Sequence, residues 1–221
     1  MIALEIINQM IPPLKTSDTA GKAYKWMEEL RTNQLPVLEE GMYKGFITEN
    51  IILEENNLDK RIGDFELEGA DCFVHFHQHI YDVMKVGTDN EAQIVAVLDE
   101  ENQYQGVINV EDTIAAFAQT AAVQSPGGVI VISMLQIDYS LAEISRLIEA
   151  EGAKILSSWI SDDLLDGAKV KLTLKINKAD LSHIIATLER FEYKIISRFH
   201  EINESASDQE KMDVFMKYLD I

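Results

Sequence analysis

The chain is short of positive charge: 19 Lys and Arg stand against 38 Asp and Glu, a formal net charge of -19. Such a surface repels a phosphate backbone and has no cationic stripe, which excludes nucleic-acid binding. Cysteine is down to a single residue, Cys72, so no internal disulfide framework exists and a reducing compartment fits. Only 4 Pro and 11 Gly interrupt 221 residues that are 47% apolar, which excludes a disordered or collagen-like chain and allows a buried core. No apolar run approaches the ~20 residues that a membrane span needs. The opening "MIALEIINQM" lacks the basic flank, apolar stretch and cleavage site of a signal peptide. A cytoplasmic globular chain with no membrane partner is the expectation. "SPGGV" has neither the Walker lysine nor the Rossmann glycine spacing, and no Ser-His-Asp or Cys-His constellation can be assembled from spacing alone. The chain therefore reads as a non-enzyme with no cofactor.

What is present is a repeat. "LPVLEEGMYKGFITEN" at 35–50 returns as "VAVLDEENQYQGVINV" at 95–110. Ala23 and Val83 lie 60 apart, as do Val37 and Val97; after one extra residue in the acidic turn, Gly45 matches Gly106 and Thr48 matches Asn109. Each copy reads as a helix ("TAGKAYKWMEEL", "HIYDVMKVGTDN"), a buried strand, a charged hairpin, a second strand and a closing helix ("ENIILEE", "VEDTIAAFAQ"). A period near 60 is too long for a solenoid, so the two copies are expected to stack their apolar faces on each other.

Charge changes near residue 126. Residues 71–126 carry one basic residue, Lys85, against nine acidic ones, while 127–200 carry nine against ten. "SPGG" at 125–128 lies at that shift and reads as a hinge. Beyond it, "GVIVISML" predicts a fully buried strand, and "SLAEISRLIEAEGA" a helix opened by Ser140 and Glu143 and stopped at Gly152. "AKILSSWIS" and "AKVKLTLKI" predict two strands, "DLSHIIATLERF" a helix and "YKIISRF" a last strand. The order β-α-β-β-α-β bends one antiparallel sheet under two helices. "SDQEKMDVFMKYL" predicts a terminal amphipathic helix. The expected divisions are 1–60, 61–125, 128–203 and the tail 204–221.

The two-copy grammar resembles a CBS-domain pair: "LPVLEEGMYKGFIT" carries the apolar-Pro-Val strand, the hairpin, the glycine, two apolar residues and a hydroxyl, while Ala96 replaces the proline in the second copy. The following segment resembles an ACT domain, with "QIDYSLAEISRLIEAEGAKI" at that family's first strand-helix turn. The expected fold class is thus α+β, a CBS pair of tandem β-α-β-β-α repeats followed by a ferredoxin-like βαββαβ ACT-like domain. This layout is similar to that of the bacterial acetoin-utilisation regulatory proteins of the B type. The resemblance implies an adenosyl ligand between the copies, held by a Ser or Thr near its phosphate and an Asp on its ribose. That pattern is split here: Thr48 is present but Ile51 stands where Asp is expected, and Asp112 is present but Asn109 replaces the hydroxyl. Thr48, Asn109 and Asp112 are the candidate ligand residues, with helix capping as the alternative role of Thr48 and Asp112. Acidic neighbours (Asp99, Glu100, Glu101, Glu111) disfavour ATP and leave adenosine, S-adenosylmethionine, or AMP held by Lys15, Lys22 or Lys44. In the ACT-like part the resemblance implies an amino-acid-like effector at Asp138 and Ser140, where Tyr139 and Ser140 replace the family's small pair.

"CFVHFHQH" alternates Cys72, His75, His77 and His79. On one strand the three histidines would share a face with zinc-ligand chemistry, but the spacing is no zinc signature, so a surface cluster is the expectation and no metal is assigned. The function expected is that of a regulatory protein binding a small-molecule effector, homodimeric, with a further protein target possible. The alternative is a scaffold without ligands, acting through dimerisation and protein contacts.

Overall fold

A computed structural model of the protein describes residues 1–199; the expected tail helix and His200 lie outside the described residues. Each repeat begins with a strand too short to show a sequence period, β1 (Leu14–Lys15), before the helix that the apolar spacing predicts, α1 (Ala20–Leu30). Thr19 caps α1 by accepting from the Lys22 N–H at 3.3 Å, and Ala20, Ala23 and Met27 form its buried face. The hairpin β2 (Gln34–Glu39) and β3 (Met42–Thr48) follows, then α2 (Glu49–Glu55). The second repeat copies the first with β4 (Phe73–His75), α3 (Ile80–Asp89), β5 (Ile94–Leu98), β6 (Tyr104–Asn109) and α4 (Val110–Ala118). In both, the entry strand pairs parallel to the next strand and the hairpin closes antiparallel, so the sheets β1-β2-β3 and β4-β5-β6 are equivalent. The equivalence reaches the register: Val37 faces Gly45, Val97 faces Gly106, and the pairing slips after Val37 and after Val97 alike.

The two sheets are tied together by the segments that precede them. Asn8 bridges to Val107 of the second repeat, and Glu68 bridges to Phe46 of the first. Their backbone bonds are 2.7 Å from the Asn8 N–H to the Val107 carbonyl and 2.7 Å from the Phe46 N–H to the Glu68 carbonyl. Ala3 and Leu4 likewise donate to the carbonyls of Gln78 and Phe76. Leu35, Val37, Ile47 and Ile52 from one repeat and Val95, Val97, Val107 and Ile108 from the other lie in one apolar core, all with no measurable exposure. The two copies thus do stack their apolar faces.

The chain divides into two compact units, Met1–Ala118 and a second beginning at Gln119. The second holds a short helical turn α5 (Ala121–Gln124), then β7 (Gly128–Leu135), α6 (Leu141–Ala150), β8 (Ile155–Asp162), β9 (Lys169–Ile176), α7 (Ser182–Arg190) and β10 (Lys194–Phe199). The strands form one antiparallel sheet in the order β10-β7-β9-β8. Strand β7, expected to be buried throughout, alternates instead. Ile130, Ile132 and Met134 are buried, and Val129, Val131 and Ser133 are half-buried. The reason is that Ile144, Leu147, Ile148, Ile184 and Leu188 of the two helices share a core with only one face of the sheet. The whole is a mixed α+β protein, and among the described residues no helix is long and apolar enough to cross a membrane.

Gly45 and Gly106 explain why the repeat keeps a glycine there. Their φ angles are 135° and 153°, and an added Cβ would lie 2.6 Å from the Glu68 carbonyl oxygen or from Ile7 Cγ2. Gly45→Ala is expected to destabilise the protein by about 1–3 kcal/mol, read as a lowered urea midpoint. Gly167→Ala, where an added Cβ has nothing within 4 Å, should not lower the midpoint and should raise it slightly, since alanine reduces the freedom of the unfolded chain. Cys72 is fully buried, its Sγ 3.7 Å from the Ile94 carbonyl, and burial together with the neighbouring Asp71 pushes its thiol up to about 12. The native protein should therefore resist a thiol reagent at about pH 8 and react at once in denaturant. The unfolded chain releases this proton near the ordinary thiol value of 9.0 and the native chain holds it to about 12. Stability contributed by the neutral thiol is accordingly lost as pH rises through that window.

Candidate ligand clefts

Two open clefts lie between the repeats, of about 550 Å3 and about 540 Å3, within the size range of small-molecule sites. Each is built from equivalent parts. The first is walled by the start of β2, the β3–α2 junction at Thr48, the crossing residue Glu68, and the turn Asp89–Glu91 after the other repeat's helix. The second is walled by the start of β5, the β6–α4 junction at Asn109, the crossing residue Asn8, and the turn Leu30–Thr32. The clefts are linked: Gln34, which lines the first, accepts at Oε1 from the N–H of Gln93, which lines the second, at 2.9 Å.

Thr48, Asn109 and Asp112 do not converge on one site. Thr48, 8% exposed, lines the first cleft and caps α2, its hydroxyl accepting from the Ile51 N–H at 3.4 Å. Asn109 lines the second, and its side-chain amide donates to Asp112 Oδ2 at 2.7 Å. Asp112 is not at an N-cap: it is in the first turn of α4, held by Asn109, and does not line the cleft. The separation follows from the head-to-tail geometry, in which each repeat's strand-helix junction faces the other's helix-strand turn. Asp138 and Ser140 belong to the second unit. Asp138 ends the turn Gln136–Asp138, and Ser140 caps α6 by accepting from the Glu143 N–H at 3.3 Å. Tyr193 lies beside this turn; burial first, then its bond to Glu143 and the charge of Asp138, raise its hydroxyl above the usual value.

The clefts differ in charge, and not through the residues expected. The hairpin carboxylates Asp99, Glu100 and Glu101 line neither, nor do Lys15, Lys22 or Lys44. Lys22 is 2.8 Å from Asp18 and lies over the Trp26 ring, and Lys44 is 3.0 Å from Glu39. Among the described residues, Glu49, Glu68, Asp89 and Glu91 line the Thr48 cleft without a cation, whereas Arg31 and Glu111 are the charged residues of the Asn109 cleft. Arg31 is the functional candidate that motif reading missed. The signal was in the repeat itself, because the 60-residue offset that pairs Ala23 with Val83 also pairs Arg31 with Glu91.

The histidines do not share a strand face. β4 ends at His75; His75 Nδ1 lies 2.9 Å from the Asp99 carbonyl, and His77 stacks on its ring at 5.9 Å. His79 caps α3, with Nδ1 accepting from the Tyr81 N–H at 3.2 Å. Among the described residues no group of three His, Cys, Asp or Glu side chains could hold a metal ion.

No protein-family model and no curated protein matches the chain. Solved structures do. A CBS domain pair/ACT domain protein of Thermotoga maritima is similar at a TM-score of 0.50 and 22% identity, over 54% of this chain and 98% of that one. A protein of Methanocaldococcus jannaschii is similar at 0.50 and 15% identity, over 55% and 62%. The CBS-pair protein CBSX2 of Arabidopsis thaliana is similar at 0.48 and 15% identity, over 53% and 94%. The fold shared with the Thermotoga protein is that of a CBS-domain pair, and the tandem repeats of the first unit are where this chain carries it.

Thr48 has a structural role that can be measured. Thr48→Ala, which removes the α2 cap, should cost about 1 kcal/mol in urea unfolding, and Thr48→Ser should restore nearly all of it.

Proposed function

We propose that the protein is a regulatory, non-enzymatic binder of small molecules whose first unit takes an adenosyl compound in the Asn109 cleft. The observation that carries this reading is the chemistry of that cleft. Ile11, Ile94 and Val110 give an adenine ring an apolar wall, Asn8, Gln93 and Asn109 give it and a ribose polar partners, and Arg31 offers one charge to a phosphate. One cation balanced by Glu111 suits AMP or adenosine better than ATP, whose longer anionic tail it would not neutralise. S-adenosylmethionine, which is cationic, is the adenosyl compound that the carboxylates of the Thr48 cleft would tolerate.

The second unit is read as an ACT-like module, on the strength of its β-α-β-β-α-β order and its sheet order β10-β7-β9-β8. An amino-acid-like effector would meet it at the Asp138–Ser140 turn. Ligand binding in either unit would act by favouring one arrangement of the protein or of its homodimer over another. A layout similar to the acetoin-utilisation regulatory proteins of the B type supports regulation as the class and leaves the target open.

A scaffold reading is favoured by one feature. Strand β8 is an edge of its sheet, with Trp159 and Ile160 52% and 46% exposed, the surface through which a sheet pairs with another chain. Calorimetric titration with adenosine, AMP, ATP, S-adenosylmethionine and amino acids separates the two readings. Saturable binding of AMP or adenosine, with ATP weaker, is the expected result; silence from every compound at millimolar concentration would leave the scaffold.

A further inference from the structure

We infer that this protein has one anion-accepting cleft per chain rather than two, and that a single swapped position, Arg31 against Glu91, assigns it. The inference rests on the adenosyl-binding reading and adds to it the specificity of each cleft.

Arg31 and Glu91 are the same position in the two repeats. They lie 60 residues apart, both follow the repeat's first helix, and both adopt the left-handed conformation, with φ of 53° and 49°. The next residues repeat the geometry: the Thr32 N–H donates to the Met27 carbonyl at 3.1 Å and the Ala92 N–H to the Gly87 carbonyl at 2.9 Å. The backbone therefore delivers each side chain to the wall of the cleft whose junction belongs to the other repeat. Arg31 reaches the Asn109 cleft and Glu91 the Thr48 cleft. Neither side chain has an ion-pair partner among the described residues.

A second equivalent position reinforces the swap. The crossing residue is Asn8 in one cleft and Glu68 in the other. Two clefts of nearly equal volume and matching backbone thus differ where a phosphate would be read. One presents a guanidinium, able to give two parallel N–H bonds to phosphate oxygens. In the other, the charged groups among the described residues are all carboxylates, whose field repels an anion.

Titration calorimetry on the full chain, with AMP and adenosine as probes, tests this. The parent protein should bind one AMP. Arg31→Gln should weaken AMP about tenfold or more, the scale of a lost charge-assisted bond, while adenosine, which has no phosphate, binds as before. The double variant E68N/E91R, at two exposed positions, should gain a second AMP per chain. The loss in Arg31→Gln should also shrink as salt is raised, since exposed charges are screened. Two AMP bound to the parent, an Arg31→Gln variant that binds AMP undiminished, or no second AMP in E68N/E91R would each overturn the inference and leave the adenosyl reading standing. A parent that binds neither AMP nor adenosine would strike the adenosyl reading itself.

Discussion

The first unit depends on an exchange. The segment before each repeat's sheet completes the sheet of the other, through the backbone pairs Asn8–Val107 and Glu68–Phe46. Backbone hydrogen bonds contribute little individually once water is counted, but a buried peptide group left without a partner costs far more. Neither repeat can close its own edge, so neither is a complete folding unit alone. The approach of the crossing segment is also what forbids a side chain at Gly45 and Gly106, which binds the most conspicuous glycine of the repeat to an interaction with a distant part of the chain.

That exchange makes the clefts. Because the crossing residues pair with the last strand of the partner repeat's sheet, β3 or β6, they form a wall beside the strand-helix junction, and the turn after the opposite first helix forms the facing wall. Backbone geometry is duplicated by the repeat and side chains are not. The repeat therefore supplies two sites of one shape, and sequence divergence sets their chemistry independently. The hydrogen bond from the Gln93 N–H to Gln34 Oε1 has no equivalent in the opposite direction, since Ile94 stands where Gln34 stands in the first repeat and is buried. That bond ties the wall of one cleft to the wall of the other, and if both clefts bind ligands any coupling through it would be reciprocal in free energy.

Much of the local structure was legible in the sequence because it is governed by local periodicity. The helices Ala20–Leu30 and Ile80–Asp89, both hairpins, and the alternation of Val170, Leu172, Leu174 and Ile176 all follow from spacing. What was not legible is non-local. Strands β1 and β4 are two and three residues long and show no period. The crossing segments owe their conformation to partners far along the chain. Strand β7 misled because a run of consecutive apolar residues does not say whether helices cover one face of the sheet or both. The site was legible only in part for the same reason: Thr48 and Asn109 were read from a motif, but that they face different clefts, and that Arg31 faces one of them, depends on how the two repeats are apposed.

The apposition also dissolves an opposition that sequence reasoning set up, between helix caps and ligand contacts. The Thr48 hydroxyl accepts from the Ile51 N–H, yet a hydroxyl carries a donor hydrogen and a second lone pair besides. Asn109 spends one N–H on Asp112 and keeps its carbonyl oxygen and its other N–H, and Asp112 keeps its second oxygen. The cap bond of Thr48 and the side-chain bond between Asn109 and Asp112 each use one valence of the group and help to hold it in place. A side chain already held in place would lose less freedom if a ligand arrived, so a structural bond and a ligand contact are compatible roles for one residue. The clefts then differ in the charge on the facing turn, Arg31 in one and Glu91 in the other, which is the difference an anion would meet.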